Sequence, residues 1–212
     1  MDIKHRMDGV FMYSKHFRPW ETAALLALCL TLLSGTWASS RQQHLASDLI
    51  RLHVIAVSDE ETEQALKLRV RDAVLRCLRP LLSSAADSQA AHALLEQALP
   101  AVKAAAEAVS EGREVSVTLG PEDYPLRRYG GFRLPAGRYE SLRVTLGAGA
   151  GHNWWCVIFP TLCLDAAETK PLQSALDEED YALVADGSGY DLRFWLVDAW
   201  GELMNRLRPA KP

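Results

Sequence analysis

The chain is short of the features that mark several functional classes. Of its 212 residues four are cysteines, at 29, 77, 156 and 163, too few and too unevenly spaced for a disulfide-built mini-scaffold. Thirteen glycines and ten prolines exclude a collagen-like or low-complexity chain. A basic excess is missing. There are 23 Lys and Arg against 27 Asp and Glu, and the pI is about 5.9. A nucleic-acid-binding domain usually has a pI above ~9. No G-x-S-x-G, P-loop, H-E-x-x-H or paired C-x-x-C occurs. What remains is 49% hydrophobic and 24% charged, the balance of a globular protein with a proper core.

There is a single long uncharged apolar run, AALLALCLTLLSGTWA from Ala23 to Ala38. Lys4, Arg6, Lys15 and Arg18 precede it, and Thr36-Trp37-Ala38 approximates a small-x-small cleavage site. That pattern predicts a secretory signal over 1–38. The alternative is an uncleaved membrane anchor, although 16 residues fall below the ~20 of a comfortable span. Either reading puts residues 39–212 outside the cytoplasm. They carry 24 acidic and 19 basic residues and are expected to form one exported acidic domain. Cys29 leaves with the signal or lies in the bilayer.

Periodicity organises the exported part. Residues 49–57 (LIRLHVIAV) read as a mostly buried strand. Ser58 and Glu61 have capping-box spacing and open a helix to about Leu82. Its apolar stripe is Leu66, Val70, Ala73, Val74, Cys77, Leu78 and Leu81, with Glu63, Lys67 and Arg71 opposite. Glu63 and Lys67 are ordered for an i,i+4 ion pair. Residues 87–110 are Ala-rich and helical, with a kink or break expected at Pro100. EVSVTL (114–119), RYESLRVTL (138–146) and NWWCVIF (153–159) read as strands. The segment 120–137 reads as turns and the acidic stretch 165–189 as a flexible connector. The Gly147, Gly149 and Gly151 run reads as a hairpin loop. Residues 191–207 form an amphipathic helix with Phe194, Trp195, Val197, Trp200, Leu203, Met204 and Leu207 inward. The order predicts an α+β two-layer domain with a mainly antiparallel sheet and helices packed on one face.

Chemistry-bearing residues are sparse. His53, His152, Cys156 and Cys163 lack metal-site spacing. Cys156 and Cys163 are separated by six residues that include Pro160, and outside the cytoplasm they are expected to form a disulfide. Cys77 is expected to be a buried free thiol. Trp154 and Trp155 alternate faces on a strand, so one is core and the other is exposed or covered by the last helix. Arg127, Arg128 and Tyr129 at a loop tip suit partner recognition, as does an exposed Trp.

Two blocks carry a likeness to a known family. They are RLHVIAVSDEETEQALKLRVRDAV from Arg51 to Val74, and Tyr124 to Cys163 with YPLRRYG, LPAGRYESLRVTLG and GHNWWCVIFPTLC. Together they closely resemble the stage II sporulation protein R family of endospore-forming Firmicutes. Val57 departs from the Asn expected beside the Ser-Asp pair. The resemblance implies a protein made in the forespore and exported between the two sporulation membranes. There it would signal to a mother-cell membrane aspartic protease, which then cleaves a sigma-factor precursor. A ligand of this kind needs a binding face and neither a catalytic set nor a cofactor. The residues expected on that face are Arg127, Arg128, Tyr129, Trp154 and Trp155, with Gln64, Lys67 and Arg71 of the first exported helix. The competing reading is an exported cell-wall hydrolase using His53, Asp59 and His152. A plain structural protein held at the membrane is a third.

Overall fold

The computed structural model describes residues 18–129, 132–160, 176–185 and 192–208. The elements are α1 (Pro19–Ser47), β1 (Ile50–Ile55), α2 (Glu61–Leu82), α3 (Ser88–Glu107), β2 (Val115–Tyr124), β3 (Arg127–Tyr129), β4 (Phe132–Leu134), β5 (Gly137–Leu146), β6 (Asn153–Phe159), α4 (Glu178–Val184) and α5 (Leu192–Leu207). The chain divides into two units, residues 1–34 and residues 35–212. In the first, α1 exposes Leu25, Leu26, Leu28, Leu30, Leu32 and Leu33. By length and composition α1 is apolar enough to cross a membrane. The helix runs without a break through the expected boundary at 38. Beyond Ser34 it buries one face, Gly35, Ala38, Gln42 and Leu45, in the second unit.

The main sheet has the order β2-β5-β1-β6. β1 runs parallel to β5 and antiparallel to β6, and β2 runs antiparallel to β5. The α+β class and the mainly antiparallel sheet are therefore what the chain adopts. All six residues of β1 are buried, as expected of a central strand covered on both faces. On one face Ile50, Leu52 and Val54 meet Leu66, Val70, Val74 and Leu78 of α2 and Leu95, Ala98 and Val102 of α3. Each such aliphatic side chain contributes about 1.5–3 kcal/mol by leaving water. The other face is covered as well. Leu45 and Leu49, the two-stranded β3-β4 sheet and α4 close over Tyr124, Tyr139 and Val157. Ala38, Leu183, Phe194 and Val197 form a third cluster.

Several local expectations are corrected. α2 has Glu60 as N-cap with no side-chain cap, and Ser58 Oγ instead accepts the Glu60 N–H at 3.4 Å. Glu63 and Lys67 are both buried and do not pair with each other. Glu63 takes Arg113 at 2.6 Å, while Lys67 turns to the end of the sheet. α3 is one helix through Pro100, which stands on its exposed side, where the carbonyl that the ring leaves unpaired can reach water. Asp87 caps it, accepting the Ala90 N–H at 2.7 Å.

The segment read as turns is largely strand. β2 continues through Gly120 and Pro121 to Tyr124, a path open to Pro because β2 is an edge. Arg127, Arg128 and Tyr129 are strand β3 rather than a loop tip. Part of the acidic connector is α4, whose N-cap Asp177 accepts the Asp180 N–H at 2.6 Å. Three acids in its first turn complement the helix dipole. On α5 the buried stripe is Phe194, Val197 and Gly201, whereas Leu192, Trp195, Leu203 and Leu207 are exposed. Cys77 is a free, half-buried thiol against the α2–α3 core, and Cys29 is exposed. Cys163, and with it the expected pairing with Cys156, lies outside the described residues.

Candidate functional site

The residues singled out in the sequence gather into two patches on opposite faces of the sheet, tied together by β1 and β6. The first lies where β1 leaves the sheet. Gly151 comes so close to the chain after β1 that a Cβ there would stand 2.2 Å from the Ser58 carbonyl oxygen. Its N–H donates to Ala56 O at 3.0 Å. This backbone contact sets His152 beside Asp59. Asp59 Oδ1 accepts the His152 N–H at 2.6 Å and also contacts His152 Nδ1. Gln64 donates to Ser58 O at 2.8 Å and accepts from Lys67 Nζ at 2.6 Å. Lys67 also donates to His152 O at 2.9 Å. Burial lowers the Lys67 ammonium below its usual value; the Asp59 charge opposes that and Arg71 reinforces it. Arg71 stands over the Trp154 ring at 4.9 Å. Gln64, Arg71 and Trp154 thus share one surface, bordered by the exposed pair Asp59–His152, while Lys67, expected on that face, is buried beneath it and ties Gln64 to the His152 carbonyl.

The second patch lies on the other face. His53 stacks on Trp155 with ring centroids 3.7 Å apart, and Arg127 caps the indole at 5.3 Å. His53 Nδ1 is 2.8 Å from Glu122 Oε1, and Glu122 Oε2 accepts from Ser141 at 2.8 Å. The Ser141 hydroxyl lies 2.7 Å from that of Tyr124. Burial would raise the Glu122 carboxyl. The hydrogen bond and charge of His53, the Ser141 hydroxyl and Arg143 outweigh it, and the group ends below its usual value. Arg51 is wholly buried, its guanidinium 3.8 Å above the Tyr124 ring and 4.8 Å from that of Tyr139. It donates to Tyr129 Oη at 2.8 Å, while its Nε and Nη1 have no hydrogen-bond partner. Burial pushes both the Tyr124 and Tyr139 phenols up, against the opposing charge of Arg51.

Several expected residues therefore come together and others separate. Arg127 meets Trp155, and Tyr129 meets Arg51, while Arg128 points to solvent. Trp154 and Trp155 are both half-buried. The cover on Trp155 is His53 and Arg127 rather than the last helix. The trio His53, Asp59 and His152 is split: Asp59 holds His152, and His53 is engaged with Glu122 on the far face. Arg51 and Glu122, central to the second patch, were not singled out in the sequence. An arginine inside a strand that reads as mostly buried was the available signal for Arg51.

Residues 46–169 match the model of the family described as stage II sporulation protein R. That span runs from the end of α1 through β6 and holds both patches. The chain belongs to this family. It is 36% identical over 135 residues to the stage II sporulation protein R of Bacillus subtilis (strain 168), covering 61% of this chain and 60% of that relative. The chain thus aligns with about 60% of the length of the curated relative it matches. No solved structure matches it. α4 and α5 lie beyond the family span.

Proposed function

We propose that this chain is an exported sporulation signal. It is delivered from the forespore into the space between the two membranes. There its folded unit binds the extracytoplasmic part of a mother-cell membrane aspartic protease and favours the active state, so that a sigma-factor precursor is cleaved. The observation that carries the reading is the family span 46–169, which follows the apolar stretch of α1 and encloses both patches. A ligand shifts a receptor only through differential affinity for two receptor states, so the requirement is a preorganised contact surface. The patches meet it. Asp59, Gln64 and Lys67 are fixed by hydrogen bonds to one another or to the chain, and Arg127 and Arg71 are held over indole rings. Arg128, Arg127 and Tyr129 on β3 and Gln64, Arg71, Trp154 and Trp155 are the contact groups of this reading, with the buried Lys67 holding Gln64 in place. The split of His53 from Asp59 and His152 favours a binding face over the wall-hydrolase arrangement.

The test is co-expression of this chain, its cognate membrane protease and the sigma-factor precursor in a non-sporulating host. Precursor cleavage that requires both this chain and residues 1–38 supports the reading. Arg128→Ala leaves the fold untouched because the side chain is exposed, and is expected to lower cleavage severalfold with normal export. Cleavage that proceeds equally well without this chain would refute the reading.

A further inference from the structure

Where α1 ends and α4 begins, four side chains converge. His44 and Asp48 are one helical turn apart, and Asp177 and Asp180 are the N-cap and first-turn residues of α4. His44 Nδ1 lies 2.7 Å from Asp180 Oδ2, 3.8 Å from Asp48 Oδ2 and 3.9 Å from Asp177 Oδ2. One donor atom from each of His44, Asp48 and Asp180 can be chosen so that all lie within 4.8 Å of one another. We propose that His44, Asp48 and Asp180, with Asp177 alongside, form a binding site for a divalent transition-metal ion of the zinc class.

A second feature, independent of the crowding of acids, points the same way. Asp180 is wholly buried, and its Oδ1 receives no hydrogen bond. A buried carboxylate oxygen left in that state is costly, so native proteins rarely keep one without a partner. Arg41 Nη1 stands 3.4 Å away, in ion-pair contact without a hydrogen bond. Its guanidinium is drawn off by the exposed Glu179 and also lies 3.8 Å from Asp177. Among the described residues, Asp48, Asp177, Glu179 and Asp180 face one permanent cation here, Arg41, and a histidine. The excess of negative charge attracts a cation, and the two ion-pair contacts of Arg41 do not satisfy Asp180 Oδ1.

The donor chemistry selects the class. One imidazole nitrogen with carboxylate oxygens suits Zn²⁺ or its first-row neighbours, whereas Ca²⁺ takes six to eight oxygens. Metal–ligand bonds of ~2.0–2.2 Å put neighbouring donor atoms about 3–3.5 Å apart. The 2.7–3.9 Å spacings from His44 Nδ1 to the three aspartates bracket that range. On binding, the Nδ1 nitrogen gives any proton it carries to solvent and its lone pair to the ion. The structural effect is a staple from the end of α1 to α4. This inference stands apart from the proposed signalling role and does not depend on it.

The test is Zn²⁺ titration of the purified full-length chain in detergent by calorimetry, with thermal unfolding alongside. His44→Gln is the diagnostic variant because His44 is half exposed and its loss spares the core. His92→Gln, at a separate His–Glu pair, controls for adventitious imidazole binding. The expected result is one saturable Zn²⁺ site, weakened at least tenfold by His44→Gln and by Asp48→Asn and unchanged by His92→Gln. Zn²⁺ should also raise the unfolding temperature of the wild-type chain and not that of His44→Gln. Ca²⁺ at the same concentration should do neither. No saturable binding, or binding that His44→Gln and Asp48→Asn leave intact, overturns the proposal.

Discussion

Gly201→Ala is the substitution for which the structure gives the sharpest consequence. Gly201 lies on the buried face of α5 against the turn that leads into β5. A Cβ built there would sit 1.8 Å from the Ala136 carbonyl oxygen, 2.5 Å from its carbon and 3.2 Å from Gly137 N. The obstacle is backbone, so no rotamer change relieves it. α5 must withdraw by more than 1 Å to reach ordinary contact. The groups that depend on its present position are Phe194 and Val197, each 5% exposed or less. Asp198 Oδ1 accepts the Ala136 N–H at 2.8 Å, and Asn205 donates to Tyr124 O at 3.1 Å. Full burial of a Phe or Val contributes about 1.5–3 kcal/mol, and a net hydrogen bond about 1 kcal/mol. Loss of roughly half of this total gives a destabilisation of about 2.5–4 kcal/mol. The assay is urea unfolding followed by tryptophan fluorescence, to which Trp200 on the same helix contributes. Ala199→Gly, on the exposed side of α5, is the comparator and should cost about 1 kcal/mol through helix propensity alone. If Gly201→Ala is no more costly than Ala199→Gly, α5 does not rest on the β5 turn and the reasoning fails.

Arg51→Met should leave unfolding free energy within about 1 kcal/mol of wild type or raise it. The guanidinium lacks two hydrogen bonds, and a buried cation is replaceable by an apolar side chain of similar volume; urea midpoints check this, and a loss above ~3 kcal/mol would contradict it. Glu122 is held below its usual carboxyl value in the folded chain, so its stabilisation is full above the unfolded value and drains away as pH falls through the lower folded one. Unfolding curves from about pH 5 down to pH 3 should therefore fall more steeply for wild type than for Glu122→Gln. Asp87→Ala removes the cap on α3 and should cost about 1 kcal/mol, with hydrogen exchange rising first at Ala90 and its neighbours. Lys67→Gln should halve precursor cleavage or worse in the co-expression assay while leaving export unchanged, and wild-type cleavage would remove the α2 face from the contact surface.

The sequence was most readable where one force dominates. β1, β5 and β6 alternate or are apolar throughout, and the stripes of α2 and α3 have helical spacing, so burial alone specified them. It was least readable where position in the sheet decides. Gly120 and Pro121 argue for a turn until β2 is known to be an edge, where a missing N–H need not break the ladder. The parallel pairing of β1 with β5 joins residues about ninety positions apart and leaves no local trace. α4 hid inside an acidic run because charge that reads as solvated also suits the start of a helix. At the site, the alternation of Trp154 and Trp155 correctly assigned them to two faces. The partners that hold them were another matter: Arg71 and His53 come from elements whose meeting depends on the tertiary fold.

The two rims of the main sheet are unequal in a way that bears on how the protein behaves in bulk. β2 ends one side and carries Gly120, Pro121, Glu122 and Asp123, residues that discourage another chain from adding to the ladder. β6 ends the other side, and among the described residues no strand pairs beyond it. Its sequence, NWWCVIF, holds no charge, no proline and no glycine. Its middle, Cys156, Val157 and Ile158, is buried, so the accessible part is the start of the strand, from exposed Asn153 to half-buried Trp155, where a second copy can extend the sheet edge to edge. Self-association on overproduction would therefore start at β6, and a lysine placed at Asn153, exposed at the start of that strand, would suppress it without disturbing the core.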